Sequence, residues 1–155
     1  MKNEIKIFLN LANKNTYANK AAQKADSTRL NSEDYHFENG EWIYHDTYWT
    51  GPEDFTFIGN EIIYKNKKHI WGANYWGVIS DRNQSIKEVY GFLREAMMQE
   101  YELEVPVRGP EIYENGEWKY TFQFTGNLEN FEGVERIYRN GIEIYKLIIN
   151  GGILI

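Results

Sequence analysis

The sequence predicts an α+β domain. It reads as an internally duplicated unit of one helix plus antiparallel strands, giving a curved antiparallel sheet with two helices packed on it and a pseudo-twofold relation between the halves. Three observations predict this. Glu-Asn-Gly-Glu-Trp at 38–42 returns letter for letter at 114–118. Matching residues surround both copies: Phe37 and Tyr113 before, Tyr44 and Tyr120 after, then Gly59 and Glu61 against Gly133 and Glu135, and Tyr64 and Asn66 against Tyr138 and Asn140. Ahead of each copy lies the same apolar stripe, Phe8-Leu9 with Ala12 and Phe92-Leu93 with Ala96. The chain is therefore one domain, 1–155, with a first repeat at 1–80 and a second at 81–155. Two packed strand layers are the alternative to one sheet.

In chain order, Ile5, Phe8, Leu9 and Ala12 share one helical face, so 4–14 is a short helix. Residues 16–33 show no period and form a long loop, a kind of segment that is either functional or mobile. Tyr35 and Phe37 then alternate toward Asn39-Gly40, a type I′ hairpin signal that needs positive φ at both central positions. Trp42 to Trp49 places Trp42, Tyr44, Asp46 and Tyr48 on one strand face and Ile43, His45, Thr47 and Trp49 on the other. Strand follows from Phe55 to Lys65, with Gly59 a bulge or a close approach. After the turn at Asn66-Lys67-Lys68, His69 to Ile79 returns. Ser85-Ile86-Lys87-Glu88 is a capping box, with Ser85 and Glu88 each satisfying the other's backbone N–H. Beyond it Ile86, Val89, Tyr90, Leu93 and Met97 share a face. Glu104 to Pro110 links to Ile112–Glu114, Trp118–Thr125, Val134–Arg139 and, after Asn140-Gly141, a last strand Ile142–Ile149. Gly151-Gly152 releases the apolar tail Ile153-Leu154-Ile155, which needs cover from the body or from a second copy of the chain in a homo-oligomer.

A chain of 155 residues can bury a core of its own. With no cysteine there is neither a disulfide framework nor thiolate chemistry. No stretch resembles a signal peptide or a membrane span, so a cytoplasmic, membrane-free protein is expected. Net charge is −6, which argues against duplex nucleic acid as a partner, because such binding rests on surplus Lys and Arg. Aromatic residues make up 16% of the chain, which fits half-buried sheet and also fits a stacking pocket.

Duplication permits an internal comparison. Residues alike in both halves belong to the scaffold, and residues that differ are free for a ligand. The first half carries the longer 16–33 loop, His45-Asp46 where the second has Thr121-Phe122, and Trp71, Asn74 and Tyr75 where the second has Tyr145, Ile148 and Ile149. Glycine beside a ring leaves room for a flat molecule, and Asn offers donor and acceptor together. A small-molecule pocket is expected from Trp71, Asn74 and Tyr75, from Tyr48 and Trp49, and from Tyr17 and Arg29 of the loop. Arg108, in Val107-Arg108-Gly109-Pro110, can fork onto a ligand phosphate or carboxylate, or bridge an internal acid. Glu61 recurs as Glu135, which favours a structural ion pair over general-base chemistry, though it also borders the pocket. His36, His45 and His69 lack metal-ligand spacing, and no nucleophile elbow, phosphate loop or zinc signature is present, so neither cofactor nor metal is expected.

Thr16-Tyr17-Ala18, Asp46-x-Tyr48 with Gly51, Phe57-Ile58-Gly59-x-Glu61, Trp71-Gly72-x-Asn74-Tyr75-x-Gly77, Arg108-Gly109-Pro110 and Gly151-Gly152 together resemble the domain of unknown function 5680 family over nearly the whole chain. Members of that family also occur behind a helix-turn-helix in repressor-like regulators, so the resemblance implies a sensor or ligand-binding module. This chain departs from the pattern at Ala73, where Met is usual, and at Val107, where an aromatic is usual. The leading expectation is a stand-alone, non-enzymatic domain for a planar, nucleotide-like small molecule. In a virus it would serve to sequester a host signal. The alternatives are a protein-interaction or inhibitor module that docks a basic partner, and a hydrolase using Glu61 or Asp46.

Overall fold

The computed structural model describes residues 1–100, 102 and 104–154. Helix α1 (Lys2–Asn15) leads into strands β1 (Glu33–Asn39), β2 (Trp42–Thr50), β3 (Thr56–Lys65) and β4 (Lys68–Ile79). Helix α2 (Ile86–Met97) then leads into β5 (Ile112–Asn115), β6 (Trp118–Asn127), β7 (Asn130–Arg139) and β8 (Ile142–Ile153). All eight strands form one open antiparallel sheet in the order β1-β2-β3-β4-β8-β7-β6-β5. The result is a curved-sheet α+β domain rather than two strand layers.

Both helices lie on one face of the sheet. Phe8 of α1 sits over Phe37 and Trp42, at centroid distances of 6.0 and 5.2 Å. Phe92 of α2 sits over Tyr113 and Trp118, at 5.8 and 5.3 Å. The apolar stripes read from the sequence thus supply the contact, and Ile5, Leu9, Val89 and Leu93 are buried with them. Lys65 covers the Trp42 ring and Arg139 the Trp118 ring. Ser85 accepts from the Glu88 N–H, but Glu88 turns its carboxylate to Arg139, at 3.0 Å, instead of back to Ser85. An ion pair to the sheet replaces half of the capping box.

The turns at Asn66-Lys67 and Asn140-Gly141 fall where the sequence places them, and the first hairpin turn is shifted. Asn39 pairs with Trp42, so the loop is Gly40-Glu41, with positive φ at Gly40. That is the II′ pattern, one residue later than the predicted I′ turn. Positive φ at both central residues occurs instead at Asn66-Lys67 and at Asn140-Gly141. Gly59 is no bulge: a Cβ there would meet the Tyr75 hydroxyl at 2.5 Å. The register shift falls between Ile63 and Tyr64.

Nor does β8 end before its glycines. It continues through Gly151 and Gly152 to Ile153, paired with β4 from Trp71↔Ile153 to Ile79↔Tyr145. The glycines allow close passage, since a Cβ at 151 would lie 2.4 Å from the Gly72 carbonyl oxygen. Leu154 is half-exposed and donates its N–H to Ile70, so Ile153 and Leu154 extend the sheet; the last tail residue, 155, lies outside the described residues.

Candidate functional site

Strand parity places Tyr44, Asp46 and Tyr48 of β2 beneath the helices, with Glu61 of β3 directly across from Asp46. On β4, Ala73 faces Glu61 and Tyr75 faces Gly59. On the far side of the sheet centre, Glu135 of β7 pairs with Phe122 and Leu147. Arg108 descends onto this face from the segment between α2 and β5. Its φ of 74° is a left-handed conformation that costs a non-glycine residue about 1–3 kcal/mol, and tertiary contacts must hold it.

Those contacts are extensive. Arg108 Nε and Nη2 each donate to a Glu135 carboxylate oxygen at 2.9 Å. The same carboxylate accepts from the Tyr120 hydroxyl at 2.7 Å and from the Tyr145 hydroxyl at 2.8 Å. A fully buried carboxylate therefore receives four donors, one pair of them charge-assisted and bidentate.

Glu61 is supplied differently. Among the described residues its carboxylate accepts only from the Tyr44 hydroxyl, at 3.0 Å. Its neighbour Asp46 accepts from the Tyr75 hydroxyl at 2.6 Å. Burial pushes the Asp46 carboxyl up to about 8, helped by the Glu61 charge and opposed by the Tyr75 hydrogen bond. Burial also raises Glu61, against the pull of the Arg108 charge. Asp46 thus holds its proton at neutral pH, directly across the strand pair from Glu61.

A cavity of about 180 Å³ lies over this pair. A single water needs only ~10–15 Å³ by the same kind of measure, so there is room for a small organic molecule. Tyr17, Tyr48, Phe57, Tyr90, Leu93 and Met97 form its walls, and Lys24, Glu33 and Arg94 stand at its edge. Arg94 Nε donates to the Tyr17 carbonyl at 3.1 Å, and its guanidinium lies 4.7 Å from the Tyr17 ring centroid. Burial raises the Tyr17 phenol to about 12, so it stays neutral.

The 16–32 loop forms part of the mouth and is tied down by one buried acid. Asp34 accepts from the hydroxyls of Thr28 and Ser32 at 2.5 Å and of Thr47 at 2.8 Å, and it meets His45 Nε2 at 2.6 Å. Burial opposes its charge, yet these bonds hold the carboxyl well below its usual range. His36 and His45 stack edge-on across β1 and β2, so those two histidines are neighbours.

Of the residues the sequence singles out, Tyr17, Tyr48, Glu61, Tyr75 and Arg108 line the cavity. The other four do not. Trp71 is sealed in the core, stacked on Phe131 at 6.2 Å, with its Nε1 donating to the Leu128 carbonyl. Asn74 lies on the opposite face of the sheet, in a shallow depression with Trp49 and Asn60. Arg29 stacks on Trp49 away from the cavity, and Trp49 Nε1 donates to Leu30. Strand parity explains the misgrouping: Asn74 cannot share a face with Trp71 and Tyr75, nor Trp49 with Tyr48. The space beside Gly77 is taken by the Phe57 ring, 2.2 Å from where a Cβ would stand, so that glycine accommodates a protein ring rather than a ligand. Sequence reasoning did not bring in Tyr44 or the α2 residues Tyr90, Leu93 and Met97. The Tyr44–Asp46–Tyr48 alternation was the available signal for the first.

Residues 46–154, from the acid pair to the end of the central strands, match the family described as Domain of unknown function (DUF5680). No curated protein and no solved structure matches the chain. With most of its length covered, from Asp46 through both central strands, the chain belongs to the DUF5680 family.

Proposed function

We propose that the chain is a small-molecule-binding domain, non-enzymatic, whose ligand lies under the helices with a planar polar edge on Asp46 and Glu61. The observation that carries this reading is the unequal treatment of two carboxylates. Among the described residues Glu135 has four donors, whereas Glu61 has one and faces a cavity. An acid pair holding one proton offers a donor beside an acceptor, which suits the amide-like edge of a heterocycle. Tyr and Phe walls suit a flat body.

An internal duplication with a pseudo-twofold between β4 and β8 is part of the same reading. It is supported by the paired contacts of Phe8 and Phe92, of Lys65 and Arg139 over tryptophans, and of Tyr44 and Tyr120 on Glu61 and Glu135. On this reading the second half keeps its acid plugged by Arg108, and the first half has exchanged a phenylalanine for Asp46 and opened a recess.

The test is a thermal-shift screen of planar heterocycles that carry an amide edge. At least one is expected to stabilise the wild type, by about 2.7 kcal/mol at a hundredfold excess over its Kd. Glu61→Gln is expected to weaken that ligand about tenfold. A screen with no hit, or a hit indifferent to Glu61→Gln, removes the proposal. The second reading, a protein-docking module, draws on an exposed row across the outer face, Ile58, Trp76 and Ile148, adjacent in register. Substituting Trp76 separates the two readings, since the cavity does not include it.

A further inference from the structure

A second recess adjoins the cavity on the outer side of α2. It measures about 390 Å³ and is lined by Ala18, Lys20, Lys87, Gly91 and Met98, together with Tyr90, Arg94 and Glu95. Tyr90 and Arg94 line both spaces, so the two share these side chains as a common wall.

The recess is basic in a chain of net charge −6. Among the described residues, Lys20 and Lys87 have no ion-pair partner, and Arg94, whose guanidinium lies over the Tyr17 ring, uses only its Nε as a hydrogen-bond donor. The one carboxylate present, Glu95, already accepts from the Tyr113 hydroxyl at 2.6 Å and the Asn115 amide at 2.7 Å. Three cations thus face one carboxylate, whose Oε1 accepts both of those bonds.

Gly91 supplies an independent observation. It sits inside α2 with negative φ, and a Cβ there would meet nothing within 4 Å. Glycine within a helix costs stability relative to alanine, and neither packing nor backbone conformation requires it at this position. What its missing side chain leaves is an open patch of helix surface between Lys87 and Arg94, where another molecule can come close.

We propose that this recess is the anion subsite of the ligand held in the cavity, and that the ligand class is a planar heterocycle bearing a phosphate, as in a nucleoside phosphate. The proposal rests on the cavity reading above and extends it. The heterocycle meets Asp46 and Glu61, and the phosphate crosses Tyr90 to Lys20, Lys87 and Arg94. Lysine and arginine provide point-charge and forked contacts to phosphate respectively.

The test is calorimetric titration of the full chain at 0.15 M salt with AMP, GMP, CMP and UMP, with the four matching nucleosides, and with pyrophosphate. At least one monophosphate is expected to bind tenfold or more tightly than its nucleoside. Lys20→Ala/Lys87→Ala, a change at two exposed positions, should erase that difference while leaving the nucleoside's affinity unchanged. Gly91→Ala should raise Tm yet weaken the monophosphate, a combination that a purely structural glycine would not give. Nucleosides that bind as well as their monophosphates overturn the subsite and leave the cavity reading standing. Pyrophosphate binding that depends on Lys20 and Lys87, with no binding of any nucleoside or monophosphate, shows an anion site unconnected to the cavity and overturns the proposal. Absence of binding by every probe overturns the subsite, and the heterocycle screen then decides the cavity reading.

Discussion

At the residue scale, the site depends on how each buried charge is compensated. Arg108 and Glu135 neutralise one another, so removing one partner strands the other. Arg108→Ala is expected to cost about 3–5 kcal/mol in urea unfolding. Glu61→Gln, which keeps the Tyr44 hydrogen bond, should cost less than about 1.5 kcal/mol. Asp46 gives a pH dependence with a definite sign. Its carboxyl is raised from 3.8 to about 8, so the folded chain holds a proton that the unfolded chain releases. Its contribution to stability is complete below the unfolded value and is lost as pH rises through the folded one. Asp46→Asn should therefore flatten the decline in stability between pH 5 and 8 by at least about 1.4 kcal/mol, the equivalent of one pKa unit. Unfolding curves at the two pH values check this. The recurrence of Glu61 and Glu135 was legible in the sequence, and so was an internal acid as one partner for Arg108. The choice between the two glutamates was not, because it depends on a left-handed residue in a segment between α2 and β5.

At the element scale, the loop before β1 and the two helices make the mouth. The sequence shows no period in 16–33, and periodicity is what identifies helices and strands. Its order comes from Asp34, a single acid collecting hydroxyls that lie from two to thirteen residues away in the chain. Such many-to-one bonding leaves no repeating mark. Asp34→Asn removes the charge that those donors share. Amide exchange across 19–32 is expected to speed by at least about tenfold, while α2 and β8 stay protected. Unchanged exchange would mean that the loop is held by other contacts. The helices, by contrast, were legible because their apolar stripes are regular. The first helix starts two residues earlier and ends one later than read, the second starts after Ser85 as read, and the Glu88 side chain went to Arg139 because an ion pair was within reach.

At the scale of the whole molecule, the halves of the sheet join along β4 and β8, and the seam is built around small residues. Gly151 lies against Gly72 and Ala73, so Gly151→Ala is expected to cost about 1–3 kcal/mol through overpacking, in one cooperative transition. Two separate transitions would mean that the halves unfold independently. The repeated pentapeptide pointed to two joined strand sets, but the comparison of the halves also pointed to Trp71 and Asn74 as lining; strand parity puts Asn74 on the outer face, and Trp71, on the cavity face, is sealed in the core against Phe131. On the proposed function, a small molecule binds on the acid pair beneath the helices. Its most direct test is a crystal structure of the protein bound to the compound that gives the largest thermal shift. That compound's polar edge is expected within hydrogen-bond distance of Asp46 and Glu61; the compound seated on the outer face between Trp49 and Trp76, with the cavity holding only water, would contradict binding on the acid pair.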